Sequence, residues 1–154
     1  MILKNRFAVD APLDAVWRHL LDVPKVASCV PGAQLTKVVD DHTYEGKIGI
    51  KLGPIDVGYQ GRVSLEEVDE AAHRVRLKAE GNESRGRGGA FATVTSQLAT
   101  EQGWTIVMME SDVAVTGVVA QFGRSAIMQE VSSRMAERFA RCLEQALKAE
   151  TVAG

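Results

Sequence analysis

The sequence predicts an α+β domain in which a curved antiparallel sheet of about seven strands wraps around one long C-terminal helix. Three observations lead there. From Ala33 to Gly117 apolar and polar residues alternate through about six stretches joined by short glycine or polar turns, the pattern of an antiparallel meander with one wet face. Ile127, Val131, Met135, Phe139, Leu143 and Leu147 then recur every four residues, which is the apolar stripe of a single long helix. Ahead of the meander, one short strand is followed by two segments with helical rather than alternating spacing.

The first strand is "ILKNRFAVD", in which Leu3, Phe7 and Val9 stand among polar residues. "APLDAVWRHLLD" follows as a helix. Pro12 suits its first turn, and Val16, Trp17, Leu20 and Leu21 share one face. "VPKVASCV" adds a short turn or helix that Pro31-Gly32 stops. In "TYEGKIGIKL" the residues Tyr44, Gly46, Ile48, Ile50 and Leu52 face one way, against Glu45, Lys47 and Lys51. After the Gly53-Pro54 turn the pattern resumes through Ile55, Val57, Tyr59, Val63 and Leu65, then through Val75, Leu77 and Ala79. The contiguous Ile106, Val107, Met108 and Met109 blur it in the last strand, where a bulge or a strand buried on both sides is expected. The final helix is expected from about Phe122 to Lys148, about 40 Å at 1.5 Å per residue. The economical way to bury the sheet face and the helix stripe together is a helix-grip arrangement, whose gap between sheet and helix is an apolar cavity.

At 154 residues the chain reads as one domain over residues 1–150 with a short tail at 151–154. A chain of this size buries about 68–70% of its unfolded surface, enough for a core without staples. Eighteen basic and twenty acidic residues, mixed along the chain, leave no basic face for nucleic acid. No apolar run reaches the ~18–20 residues that span a bilayer, and Lys4, Arg6 and Asp10 interrupt any signal-peptide core. A cytoplasmic protein is therefore expected, and with it two buried free thiols at Cys29 and Cys142 rather than a structural disulfide. The sequon at Asn82–Ser84 is then accidental.

Catalytic chemistry finds little support. "GRGG" before a strand reads as a hairpin turn, since a phosphate loop needs a following helix. His19, His42 and His73 form no pair with metal-ligand spacing, so no metal or cofactor is expected. Cys29 has no base near it in sequence and reads as a buried corner residue or part of a pocket wall. Asp112, an acid in the apolar last strand, is either a polar anchor in a cavity or a solvent-facing bulge residue. An inward set of Ile, Val, Leu, Met, Ala and a Tyr suits a hydrophobic guest held by burial, at about 25 cal/mol per Å².

Four motifs carry a resemblance. They are "F-x-V-x-A-P-x-x-x-V-W" from Phe7 to Trp17, "C-V-P-G-A" from Cys29 to Ala33, "Y-E-G-K-I-G-I-K-L-G-P" from Tyr44 to Pro54, and "D-V-A-V-T-G-V-V-A-Q-F-G" from Asp112 to Gly123. In these the chain resembles the carbon monoxide dehydrogenase G-subunit family of the START/pollen-allergen-like (SRPBCC) superfamily, over nearly its whole length. The resemblance implies a helix-grip fold with a deep apolar cavity and no catalytic residues. It also implies a non-enzymatic accessory role to a molybdenum hydroxylase of the carbon monoxide dehydrogenase type, carrying a lipophile such as a respiratory quinone. Any membrane contact is then transient and peripheral, at the inner membrane face. Many members of the family carry a long C-terminal extension that could reach a membrane; the sequence here ends at Gly154.

The expected cavity lies between the sheet and the N-terminal half of the last helix. Its lining set is Tyr44, Ile48, Ile50, Val57, Tyr59, Val94, Val113, Ile127, Met128, Val131 and Met135, with Trp17 and Cys29 as further wall residues. "GVVAQFG", Gly117 to Gly123, is expected to gate the mouth, with Phe122 as the plug. Two alternatives remain at this point. One is a superfamily enzyme of cyclase or hydrolase type using Tyr59, Asp112 and Gln121; the other is an assembly chaperone without a ligand.

Overall fold

The computed structural model describes residues 1–117, 119–120 and 125–153. The chain runs β1 (Ile2–Val9), α1 (Leu13–Leu20), α2 (Val23–Cys29), β2 (Ala33–Val38), β3 (Thr43–Leu52), β4 (Ile55–Asp69), β5 (Arg74–Glu83), β6 (Gly89–Glu101), β7 (Trp104–Val115) and α3 (Ser125–Ala153). The seven strands form one antiparallel sheet in the order β1-β7-β6-β5-β4-β3-β2. Every neighbour but one is consecutive in sequence; α1 and α2 carry the chain from β1 on one edge to β2 on the other.

Local chemistry accounts for the short helices. Pro12 is the extended residue just before α1, and Asp14 in the first turn with Arg18 and His19 in the last suit the helix dipole. Asp22 caps α2 by accepting the Lys25 backbone N–H at 3.2 Å, and Pro24 sits in the first turn, where its missing N–H costs nothing.

Gly46, Gly61 and Gly81 stand side by side on β3, β4 and β5. A Cβ on Gly61 would fall 1.8 Å from the Glu80 carbonyl oxygen, so this approach of β4 to β5 is open to glycine alone. The last helix, α3, packs chiefly along edge strand β1 and also reaches β3.

The core is in two parts. Val9, Val16, Trp17, Leu20, Val75, Leu98, Val107, Phe139, Leu143 and Leu147 fill the end where α1, α2 and the C-terminal half of α3 meet the sheet. Leu52, Val57, Tyr59 and Val119 form a second cluster at the other end, with Met128 and Val131 packed against it.

Two sequence expectations need correction, and one open alternative is decided. Cys29 and Cys142 are not free thiols: they form a disulfide, with Cα atoms 5.4 Å apart, between the end of α2 and α3. Cys142 precedes Leu143 on the helical stripe, and this turns it toward the Ser28–Cys29 corner, an adjacency no spacing in sequence reveals. Of the two alternatives expected in β7, a bulge or a strand buried on both sides, the structure takes the second: the register runs unbroken against both β1 and β6. The irregularities lie instead at Leu35/Lys37 in β2 and Leu65/Glu67 in β4, and the blurred stretch holds Ile106 and Val107, both buried although they point to opposite faces. The last helix also continues past Lys148, to Ala153.

Candidate ligand site between the sheet and the long helix

Strand register settles which side chains share the inner face. Tyr44, Val63, Ala79, Ala92 and Val113 lie in one row across five strands. Leu65, Leu77, Val94 and Ser111 form the next row toward α1. In the other direction come the glycine row, continued by Ala90 and Val115, and then Ile48, Tyr59 and Glu83.

The two middle rows face the helix, yet Val63, Leu77, Ala79, Ala92, Val94 and Val113 all keep part of their surface accessible. None of these six belongs to either core cluster. An apolar band thus lies between two closed ends, with a glycine row beside it that contributes no side chains. Ile127, Met128, Val131 and Met135 on α3 are half-buried, as expected of a helix face that is only partly covered.

The side along β1 is sealed by polar contacts. Gln129 accepts from the Lys4 N–H at 3.3 Å and donates to the Lys4 carbonyl at 3.0 Å, pairing the free backbone edge of β1. Asn5 donates to Ser132 Oγ at 2.7 Å, and Glu144 accepts from the Asp10 N–H at 2.8 Å. Sequence patterning had no way to single out Gln129, because a glutamine on a helix flank ordinarily faces water.

One end of the band is electrostatically distinctive. Glu83 is buried on the inner face opposite Tyr59, accepting from the Arg85 backbone N–H and from Arg87 Nε. These donors hold its carboxyl below the usual range against the opposing effect of burial; the backbone bond from Arg85 is the largest influence. Tyr59 is 8% exposed, and its hydroxyl has no hydrogen-bond partner among the described residues. Burial, and next the Glu83 charge, push its phenol upward. The turn carrying Arg87 lies against the start of the β7–α3 connection: a Cβ on Gly117 would fall 1.8 Å from the Arg87 carbonyl oxygen.

The expected site residues divide into groups. Ile48, Ile50, Val57, Tyr59, Met128 and Val131 come together at the second cluster. Val94 and Val113 lie on the accessible band; Tyr44 closes its row with its hydroxyl 3.5 Å from the Asp41 carbonyl. Ile127 and Met135 extend along α3. Trp17 and Cys29 belong to the first core instead, where Trp17 Nε1 donates to Glu70 at 2.8 Å and its ring meets His73 edge-on. Asp112 points outward, 67% exposed, with its carboxylate 3.6 Å from the chain amino group. Phe122 and Gln121 lie outside the described residues. Among the described residues no three His, Cys, Asp or Glu side chains cluster to hold a metal, and no helix is long and apolar enough to cross a membrane.

A family model for CoxG, the carbon monoxide dehydrogenase G-subunit, matches residues 6–148. The chain belongs to the CoxG family. Solved structures with the same fold include a conserved protein from Geobacillus kaustophilus (15% identity, 97% of this chain and 96% of that one, TM-score 0.82). An aromatase/cyclase, Zhui from Streptomyces sp. R1128, is similar at 13% identity over 98% and 95% of the chains, with a TM-score of 0.65. Ara h 8.0201 is similar at 10% identity over 97% and 98%, with a TM-score of 0.65. These likenesses show that this CoxG-family member has the helix-grip fold of the SRPBCC, pollen-allergen-like proteins. No curated protein sequence is significantly similar to it.

Proposed function

We propose that this protein is a non-enzymatic carrier of an apolar small molecule, held between the sheet and α3, and that it serves a carbon monoxide dehydrogenase-type molybdenum hydroxylase. The observation that carries the reading is the apolar band of Val63, Leu77, Ala79, Ala92, Val94 and Val113, which faces the helix but is covered by neither core. Apolar surface left this way gains about 25 cal/mol per Å² when a guest covers it. Family membership supports the partner, and a lipophile such as a quinone is the guest the partner's chemistry calls for.

An enzyme of the cyclase kind needs polar groups that converge on the guest. Asp112, one of the candidates, faces outward beside the chain amino group, which favours the carrier over the enzyme.

The carrier works in the cytoplasm, with any membrane contact peripheral. That placement sets the Cys29–Cys142 disulfide against a reducing thiol pool. Rapid alkylation of lysed cells reads its state: free thiols agree with the cytoplasm, and an intact disulfide counts against it. The function itself is tested by mass spectrometry of an organic extract of the purified protein. A co-purifying lipophile near one per chain supports the carrier; an empty protein that also takes up no added quinone contradicts it.

A further inference from the structure

The Tyr59 hydroxyl is more than nine-tenths buried, lies on the inner face and has no hydrogen-bond partner among the described residues. A buried hydroxyl without a partner is costly, and phenylalanine would supply the same packing without that cost. The nearest obvious acceptor does not take it. Glu83 stands opposite Tyr59 in register, but its carboxylate accepts from the Arg85 N–H and from Arg87 Nε, both from the β5–β6 turn, and not from the phenol. The phenol is therefore left with a proton to donate, at the end of an otherwise apolar band.

From this geometry we infer that Tyr59 is the polar anchor of the ligand site, donating its O–H to a neutral acceptor oxygen, a ring or chain carbonyl, on an otherwise apolar guest. This rests on the reading of the hollow as a ligand site and adds a chemical class to it. Selectivity follows from the charges beside Tyr59: Arg87 is already paired with Glu83 and offers a carboxylate headgroup no free counter-charge, so a free fatty acid is a poorer fit than a ketone or quinone. Met128, unbranched and packed against the same cluster, is the side chain best able to repack as the guest's oxygen reaches the hydroxyl.

The test uses three matched probes titrated into the intact protein and followed by ¹H–¹⁵N spectra. They are duroquinone, durene (the same four methyl groups without the carbonyls), and 2,4,5-trimethylbenzoate as the anionic counterpart. Wild type should bind duroquinone tighter than either of the others. Tyr59→Phe should lose about three- to tenfold in duroquinone affinity, the scale of one hydrogen bond, and less than twofold for durene. The melting temperature of the unliganded variant should be unchanged or higher, because a partnerless hydroxyl has been removed. If Tyr59→Phe binds duroquinone as wild type does, loses both probes equally, or melts well below wild type, the anchor is refuted while durene binding still upholds the hollow. Equal or tighter binding of the benzoate refutes the selectivity for a neutral acceptor. Failure of all three probes to bind wild type overturns the ligand site and the anchor together.

Discussion

Cys29 and Cys142 are joined by a disulfide across 113 positions of sequence, tying the end of α2 to the inner stripe of α3. The bond closes a loop that contains the whole meander, so its entropic effect on the unfolded chain is near the large end of the usual range. Reduction should cost about 2–4 kcal/mol, or roughly 4–16 °C in Tm for a chain of this length. The double variant Cys29→Ser, Cys142→Ser should melt close to the reduced wild type. Thiol titration of the purified, air-oxidised protein after denaturation should find none. Two free thiols there, or a Tm indifferent to reductant, would contradict this account.

His19 sets the pH dependence near neutrality. It is 3% exposed, and among the described residues neither ring nitrogen has a well-formed hydrogen bond. Burial, its largest influence, lowers its pKa from 6.5, while the Glu150 carboxylate opposes and Lys25 assists. The folded state therefore binds fewer protons than the unfolded chain, and stability falls as the pH drops below about 6.5. Asp40, Glu83 and Glu150, all lowered, add their own loss only further down, as the pH falls through and below the ordinary carboxylate range. Urea midpoints at pH 7.5 and 5.5 should differ for wild type and differ less for His19→Leu. Equal differences would show that His19 does not carry the effect.

Gly117 and Gly53 both have positive φ, 81° and 57°, but only Gly117 is hemmed in. An added Cβ at Gly53 meets nothing within 4 Å, whereas at Gly117 it strikes the Arg87 carbonyl oxygen. Gly53→Ala should cost roughly 1–2 kcal/mol, the usual left-handed penalty. Gly117→Ala should cost more, and should shift the amide resonances of the β5–β6 turn. Equal losses would mean that the turn yields freely and that the close approach is not structural.

Phe122 tests the gate proposed for Gly117 to Gly123. If Phe122 plugs an apolar mouth, a glutamate in its place puts an unpaired charge there. Phe122→Glu should reduce uptake of a neutral hydrophobic dye while changing Tm by only a few degrees. Uptake equal to wild type refutes the gate, and an unfolded variant shows Phe122 to be a core residue.

The meander was legible in the sequence because each strand is wet on one face. Tyr44, Ile48 and Ile50 on β3 and Val57, Tyr59 and Val63 on β4 alternate, and their register places them on one face. The stripe from Ile127 to Leu147 announced α3 for a similar reason: only one side of it is covered. What escaped depends on contacts between distant segments. Glu83 has the inward parity of β5, but a charge there reads as a mismatch until Arg87 folds back onto it from the turn. Trp17 and Cys29 read as pocket wall from their apolar neighbours, yet α1 and α2 close one end of the sheet and carry both into the first core. Nothing local distinguishes a residue that closes a core from one that lines a gap beside it.

The central claim is that space remains between the middle strands and α3, and Ala92→Leu tests it most directly. Ala92 lies between Ala79 and Val113 on the accessible band. If the band borders a ligand site, the larger side chain enters open space. The variant should then unfold at the wild-type urea concentration within about 0.5 kcal/mol, and its uptake of duroquinone should fall. If the inner face is instead packed to ordinary interior density, the added atoms should cost about 1–3 kcal/mol, and that result would contradict the account.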